Sequence, residues 1–206
     1  MSKILYTLLI GIAGATHVAT SPPPQDPTPT RARSTEEFAI DAEHSSVVFR
    51  VMHLSASAFW GRFNEISGSF QVDDDDLENS FLRIEVPAAS VDTHSARRDR
   101  HLKSQDFFSA KEFPVLSFTS TEISKTGNDS YRVTGKLTLR GKTREISIEA
   151  HHTGTANVLP RFGLRCGYET EFEIDRTDFG IDYGAQGGVL GKTVRIIIAL
   201  EGKLPQ

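Results

Sequence analysis

The chain has 206 residues, 38% of them hydrophobic and 24% charged, with a formal net charge of -4 and one cysteine. That length suits one domain, or one domain with tails, and the composition excludes wholesale disorder, collagen and coiled coil. A net negative chain offers no general basic field for nucleic acid, and a lone cysteine allows neither an internal disulfide nor a multi-cysteine zinc site.

The N-terminus has the layout of a secretory signal: Lys3, the apolar run Ile4–Ile12, then the small triplet Ala13-Gly14-Ala15. Residues 1–15 are therefore expected to be a signal peptide directing the chain to the periplasm or outside. The alternative is an uncleaved membrane anchor, for which the run falls short of the roughly 20 residues of a spanning helix. No cysteine follows the box, so lipoprotein acylation is not expected. Residues 16–36 form a Pro/Thr-rich linker. Within them Thr20–Arg33 holds five of the nine prolines, too stiff and polar to bury a core. The folded unit is placed at residues 37–204.

Within that unit the dominant signal is period two. A short segment at Phe38–Asp41 comes first, followed by Val47, Phe49 and Val51 alternating with Ser46 and Arg50. Ser67–Val72 carries Phe70, and Leu82, Ile84 and Val86 alternate with Arg83 and Glu85. Val115–Thr121 carries Leu116 and Phe118. Val133, Leu137 and Leu139 share a face with Gly135, and Ile146, Ile148 and Ala150 oppose Glu145, Ser147 and Glu149. Cys166, Tyr168, Phe172 and Ile174 oppose three glutamates, and Val194, Ile196, Ile198 and Leu200 close the series. Such alternation marks half-buried antiparallel strands, about nine in all. Gly127-Asn128-Asp129 and Arg140-Gly141 read as hairpin turns. Helical material is confined to Ser95–Ser104, a turn near Phe107–Lys111, and Asp175–Phe179.

The fold class is all-β. One apolar face per strand can be hidden by closing a barrel of about eight strands or by stacking two sheets; closure also removes exposed edges. Thirteen Phe against one Trp and four Tyr fall largely on inward positions. A barrel of this size is either plugged by side chains or keeps room for one small ligand. Both interiors stay open at this point.

Four stretches carry a resemblance. FAIDAEHSSVVFRVMHLSASAFWGRFNEISGSF, with Asp41, His44-Ser45, Phe49, His53 and Gly61-Arg62-Phe63, resembles the opening of the YceI-like family. RRDRHLKSQDFFSAKEFPVLSFTST is similar to its most specific segment, through Arg98-Asp99, His101-Leu102, Asp106-Phe107-Phe108 and Phe113-Pro114. VTGKLTLRGKTREI resembles the central hairpin, and FEIDRTDFGIDYG the late motif with Asp175-Arg176 and Asp178-Phe179-Gly180. The chain departs where Lys192-Thr193, rather than an acidic residue, precede Val194.

The resemblance implies a lipocalin-like extended barrel, often periplasmic, that carries a polyisoprenoid, isoprenoid quinone or similar long-chain amphiphile and needs no cofactor. The expected tunnel wall is Phe49, Phe63, Phe70, Leu82, Ile84, Phe118, Leu137, Leu139, Phe172, Ile174, Ile196 and Ile198. The expected head-group or rim residues are His53, Arg98, Asp99, His101 and Arg176. Transient membrane contact and a homodimer are the expected partnerships besides the lipid.

The polar candidates each have a plainer reading. Arg98 and His101, three apart on one helix face, can hold a phosphate or quinone head, or can tie the helix to the barrel by ion pairing and hydrogen bonds. His44, His53 and His101 follow no recognised metal spacing. Asp73–Asp76 lacks the glycine of a calcium loop and reads as a solvated hairpin loop. Cys166, on an apolar strand face, reads as inert packing. Asp175 reads as a cap and Arg176 as the partner of a carboxylate. The chain lacks the G-x-S-x-G, H-E-x-x-H and P-loop patterns, and no catalytic residue is expected. Two other functions stay open: an enzyme or stress-protective protein acting on lipid or quinone, and a solid-cored interaction module on a Pro-rich stalk.

Overall fold

The computed structural model describes residues 36–157 and 159–204. The expected signal peptide and nearly all of the linker lie outside the described residues. Eleven strand segments run in sequence: β1 (Phe38–Ile40), β2 (Ser46–His53), β3 (Ser57–Phe63), β4 (Ser67–Gln71), β5 (Phe81–Pro87), β6 (Val91–Asp92), β7 (Val115–Lys125), β8 (Ser130–Leu139), β9 (Lys142–Ala156), β10 (Arg165–Asp175) and β11 (Leu190–Lys203). Among the described residues one α-helix, α1 (Ala96–Leu102), lies between β6 and β7.

Register shows how eleven segments make an eight-stave barrel. β1 and β2 pair in succession with the same edge of β11, at Gly202–Lys203 and then at Leu190–Ala199. β3 pairs with β2, and β4 with β1. β5 pairs with β4, and β6 with β3. Each couple is thus one interrupted stave, and with β7 to β11 the meander is up-and-down, antiparallel and closed by β1 on β11. Closure leaves the inward face of each strand no solvent side, which is why the alternation is so regular.

Local chemistry sets the turns. Arg140 (φ 49) and Gly141 (φ 69) form a two-residue connection with Leu139 opposite Lys142, the left-handed pair that matches strand twist. Ser95 caps α1 by accepting a hydrogen bond from the Arg98 amide. Asp175 caps the 3-10 turn Arg176–Phe179, and Gly180 ends it at φ 72.

The expectation of about nine strands missed β3 and β6. In β3 an inward position is Gly61, across from Phe49, while Trp60 is exposed, so its apolar alternation is blurred. β6 is only two residues long. The strand carrying Ile146, Ile148 and Ala150 runs on through His151-His152 to Ala156 because it pairs there with β10. The last strand begins at Leu190, four residues before Val194.

Candidate functional site

The barrel is hollow. Its interior leaves about 180 Å³ open to the centre of a water molecule, far beyond the 10–15 Å³ or so that one water needs. All twelve expected wall residues line this space, together with residues not named beforehand, among them Phe59, Phe107, Phe108, Tyr168 and Leu190. Nine of the thirteen Phe take part. Tyr168 was legible from the alternation of β10. Phe107 and Phe108 come from the cap beyond α1, where no periodicity points inward. Phe172, Ile196 and Ile198 are only half-buried despite inward register: they pack against the buried core on one side and border the cavity on another.

One end of the cavity carries Tyr131 and Tyr168. The Tyr131 hydroxyl donates to Asp74 Oδ1 at 2.7 Å, and Lys125 Nζ lies 2.9 Å from the same oxygen. Asp73 is buried and accepts from the amides of Asp75 and Asp76. The acidic tract is therefore not a merely solvated loop: it turns on Asp73 and is fastened to the barrel through Asp74. Cys166 is buried, its Sγ accepts from Thr155 Oγ1 at 3.3 Å, and burial pushes its thiol pKa up, consistent with inert packing.

The other end is closed by Leu102, Phe107, Phe108, Ile181 and Arg176. Arg176 is 4% exposed and has no ion-pair partner among the described residues. Its Nε donates to the Gly191 carbonyl at 2.8 Å, Nη1 to Ile181 at 2.5 Å and Nη2 to Leu190 at 3.2 Å. Asp175 instead accepts from the amide and hydroxyl of Thr177, which hold its carboxyl below the usual range. The expected carboxylate pairing of Arg176 thus gives way to three backbone carbonyls. Burial lowers the Arg176 pKa, with Asp175 and Asp182 opposing that effect, and a guanidinium so placed stays charged near neutrality.

The other polar candidates stand off the wall. Arg98 donates from Nε to Thr93 Oγ1 at 2.7 Å and from Nη2 to the Thr93 carbonyl at 2.6 Å, and stacks over Phe59. Asp99 Oδ1 accepts from the Thr93 amide and hydroxyl at 2.9 and 2.6 Å. His101 Nε2 lies 2.8 Å from Asp106 Oδ2, with its ring edge-on to Phe107 and Tyr183. Arg98 and Asp99 tie α1 to Thr93 and Phe59, and His101 ties it to Asp106, Phe107 and Tyr183, a geometry that favours bracing over head-group contact. His53 ends β2 exposed, opposite Ser57.

The structure does not bring His44, His53 and His101 together. Asp41, His44 and Glu201 do converge, with potential ligand atoms within 4.8 Å of one another. Arg165 already lies 2.6 Å from Asp41 and 3.4 Å from Glu201, and Lys203 lies 3.7 Å from Asp41. A cation entering there must displace two others, so the cluster is a structural clamp.

Comparison with known proteins agrees with this architecture. A UPF0312 protein of Yersinia enterocolitica is 37% identical over 168 residues, covering 81% of this chain and 85% of the relative. The crystal structure of the Campylobacter jejuni YceI protein superposes with a TM-score of 0.67 at 28% identity, covering 75% of this chain and 90% of that one. A polyisoprenoid binding domain from Saccharophagus degradans shares the fold, with a TM-score of 0.64 at 17% identity over 82% of this chain and 98% of its own. The YceI-like domain family matches residues 38–202, nearly the whole barrel, and the chain belongs to that family.

Proposed function

We propose that the protein is an exported carrier that holds a polyisoprenoid, an isoprenoid quinone or a similar long-chain amphiphile in the barrel. The observation that carries this is the interior itself: a hollow wall of Phe, Ile, Leu and Val whose one buried charge is Arg176. Apolar area removed from water contributes about 25 cal/mol per Å², so a flexible chain threading such a wall is held by its length. The polyisoprenoid binding domain that shares the fold supports the same ligand class. The segment 1–15 supports export, and the Pro-rich stretch after it supports a tether between barrel and address. Arg176 is a wall group able to meet the polar end of a ligand lodged inside, since its three carbonyl bonds leave two of its five N–H donors unused.

Organic extraction of the purified protein followed by mass spectrometry should yield a long-chain amphiphile. A lipid-free extract from a protein that also fails to bind polyprenyl alcohol would overturn the carrier reading. Phe118, buried on the wall, supplies the matching variant. Phe118→Arg places a charge in the tunnel at a cost of several kcal/mol and should abolish polyprenol binding in protein that is folded by circular dichroism.

A further inference from the structure

The barrel wall is incomplete on one side. The β9–β10 ladder stops at Thr170 opposite Ala150, although β10 continues to Asp175 and β9 begins as early as Lys142. On their other flanks the same strands are paired throughout: β8 follows β9 from His151 to Lys142, and β11 follows β10 to Asp175. The gap is framed. The Thr170 hydroxyl donates to the Glu149 carbonyl at 2.7 Å above it, and Arg140 donates to the Gly180 carbonyl below it.

Burial changes along the inward face of β9 as it leaves its neighbour. Ala150 and Ile148 are buried, Ile146 is half-buried and Arg144 is exposed. Across the gap, Phe172 is half-buried on the cavity wall, and Thr170 and Glu169 also reach the cavity. The cavity wall thus reaches the edges of the gap, at Thr170 and Phe172 on β10 and at Ile148 on β9.

Arg144 is out of pattern. It lies opposite Leu137, an inward residue, where an apolar side chain is expected. Its Nη1 donates only to the Thr143 carbonyl, and among the described residues no carboxylate lies within ion-pairing distance. Of the glutamates nearby, Glu145 opposes Lys136, Glu149 opposes Arg132 and Glu173 opposes Arg195, which is ion-paired with Glu171, while Glu169 at the far edge of the gap opposes His151. Arg144 is left as a cation on the lip of an apolar opening.

We propose that the β9–β10 gap is a lateral portal through which the long-chain ligand enters and leaves, and that Arg144 on its lip is the binding site for an anionic head such as a diphosphate. This rests on the carrier reading and adds to it a route and a head-group chemistry. A portal governs rates in both directions, whereas a wall residue governs affinity.

The test uses the full chain carrying Ser147→Cys and Glu173→Cys, outward positions that face each other if the register is carried on from Thr170 and Ala150. A short bismaleimide bridges them, and the single-cysteine variants with the same reagent serve as controls. Fluorescent geranylgeranyl diphosphate and geranylgeraniol are loaded and chased by stopped flow. Bridging should slow loading and release of both probes about tenfold or more while leaving Kd nearly unchanged. Arg144→Gln, unbridged, should weaken the diphosphate and spare the alcohol, with the difference shrinking at high salt. Binding by wild type with rates indifferent to the bridge overturns the portal, and equal effects of Arg144→Gln on both probes overturn the head-group site. Failure of wild type to bind either probe would instead sink the carrier reading.

Discussion

Asp41 shows how one carboxyl fastens the closing seam. It follows β1, is 6% exposed in its side chain, and meets Arg165 from β10 at 2.6 Å. Burial works against its charge, but hydrogen bonds from Arg165, His44 and the Glu43 amide outweigh burial and hold its carboxyl below the usual carboxylate range. A carboxyl depressed in this way adds stability above its unfolded pKa, and that stability is lost as pH falls through the folded value. Asp41→Asn should therefore cost about 1–3 kcal/mol at neutral pH, with the difference from wild type fading below about pH 4. Thermal melts of both proteins across that range check it, and a penalty constant with pH would assign the effect to packing instead. Asp41 stood out in the sequence as part of an opening motif. Its partner did not, because Arg165 is 124 residues away and nothing local marks it.

Among the strands, flat aromatic rings lie against bare backbone. A Cβ on Gly61 would stand 2.2 Å from Phe49 Cζ, one on Gly135 2.5 Å from Phe118 Cζ, and one on Gly202 2.5 Å from Phe70 Cζ. Each glycine makes room for a wall Phe, letting large rings fit a narrow barrel. Gly61→Ala is expected to cost about 1–3 kcal/mol through overpacking. Phe49→Leu in the same chain should recover part of that loss, a coupling that denaturant unfolding of the double-mutant cycle measures. Additive losses would mean the ring and the glycine do not share the space. The Gly135 face was readable from β8 alone. Gly61 was not, because its strand shows no clean alternation until β2 and β3 are paired.

For the molecule as a whole, the cap decides whether the barrel is a closed-ended vessel. Leu102, Phe107 and Phe108 plug one end, and the Thr93–Arg98–Asp99 hydrogen bonds hold α1 in place above them. Arg98→Ala removes two short hydrogen bonds and a stacked cation, and should lower the melting temperature by several degrees. If the cap is structural, headed and headless long-chain ligands should lose affinity equally. A selective loss for the headed ligand, with the melting temperature unchanged, would return Arg98 to the head-group role.

Strand positions, inward faces and turns were legible in the sequence because period two and left-handed turn residues are properties of a few consecutive residues. The all-β class, eleven of the twelve wall residues and the cap of Asp175 on its own turn follow from such local pattern, whereas Phe63 lies on β3, whose alternation is blurred. The sequence could not decide whether the barrel is filled or hollow, since the same inward side chains serve both and only the spacing of facing strands separates them. Nor could it tell which polar residues are already bonded, because Arg98 meets Thr93 and Arg176 meets three carbonyls only once the chain has turned back on itself. The end of the β9–β10 ladder at Thr170 is of the same kind. β9 and β10 remain regular strands past that point, and only their divergence in space opens the wall.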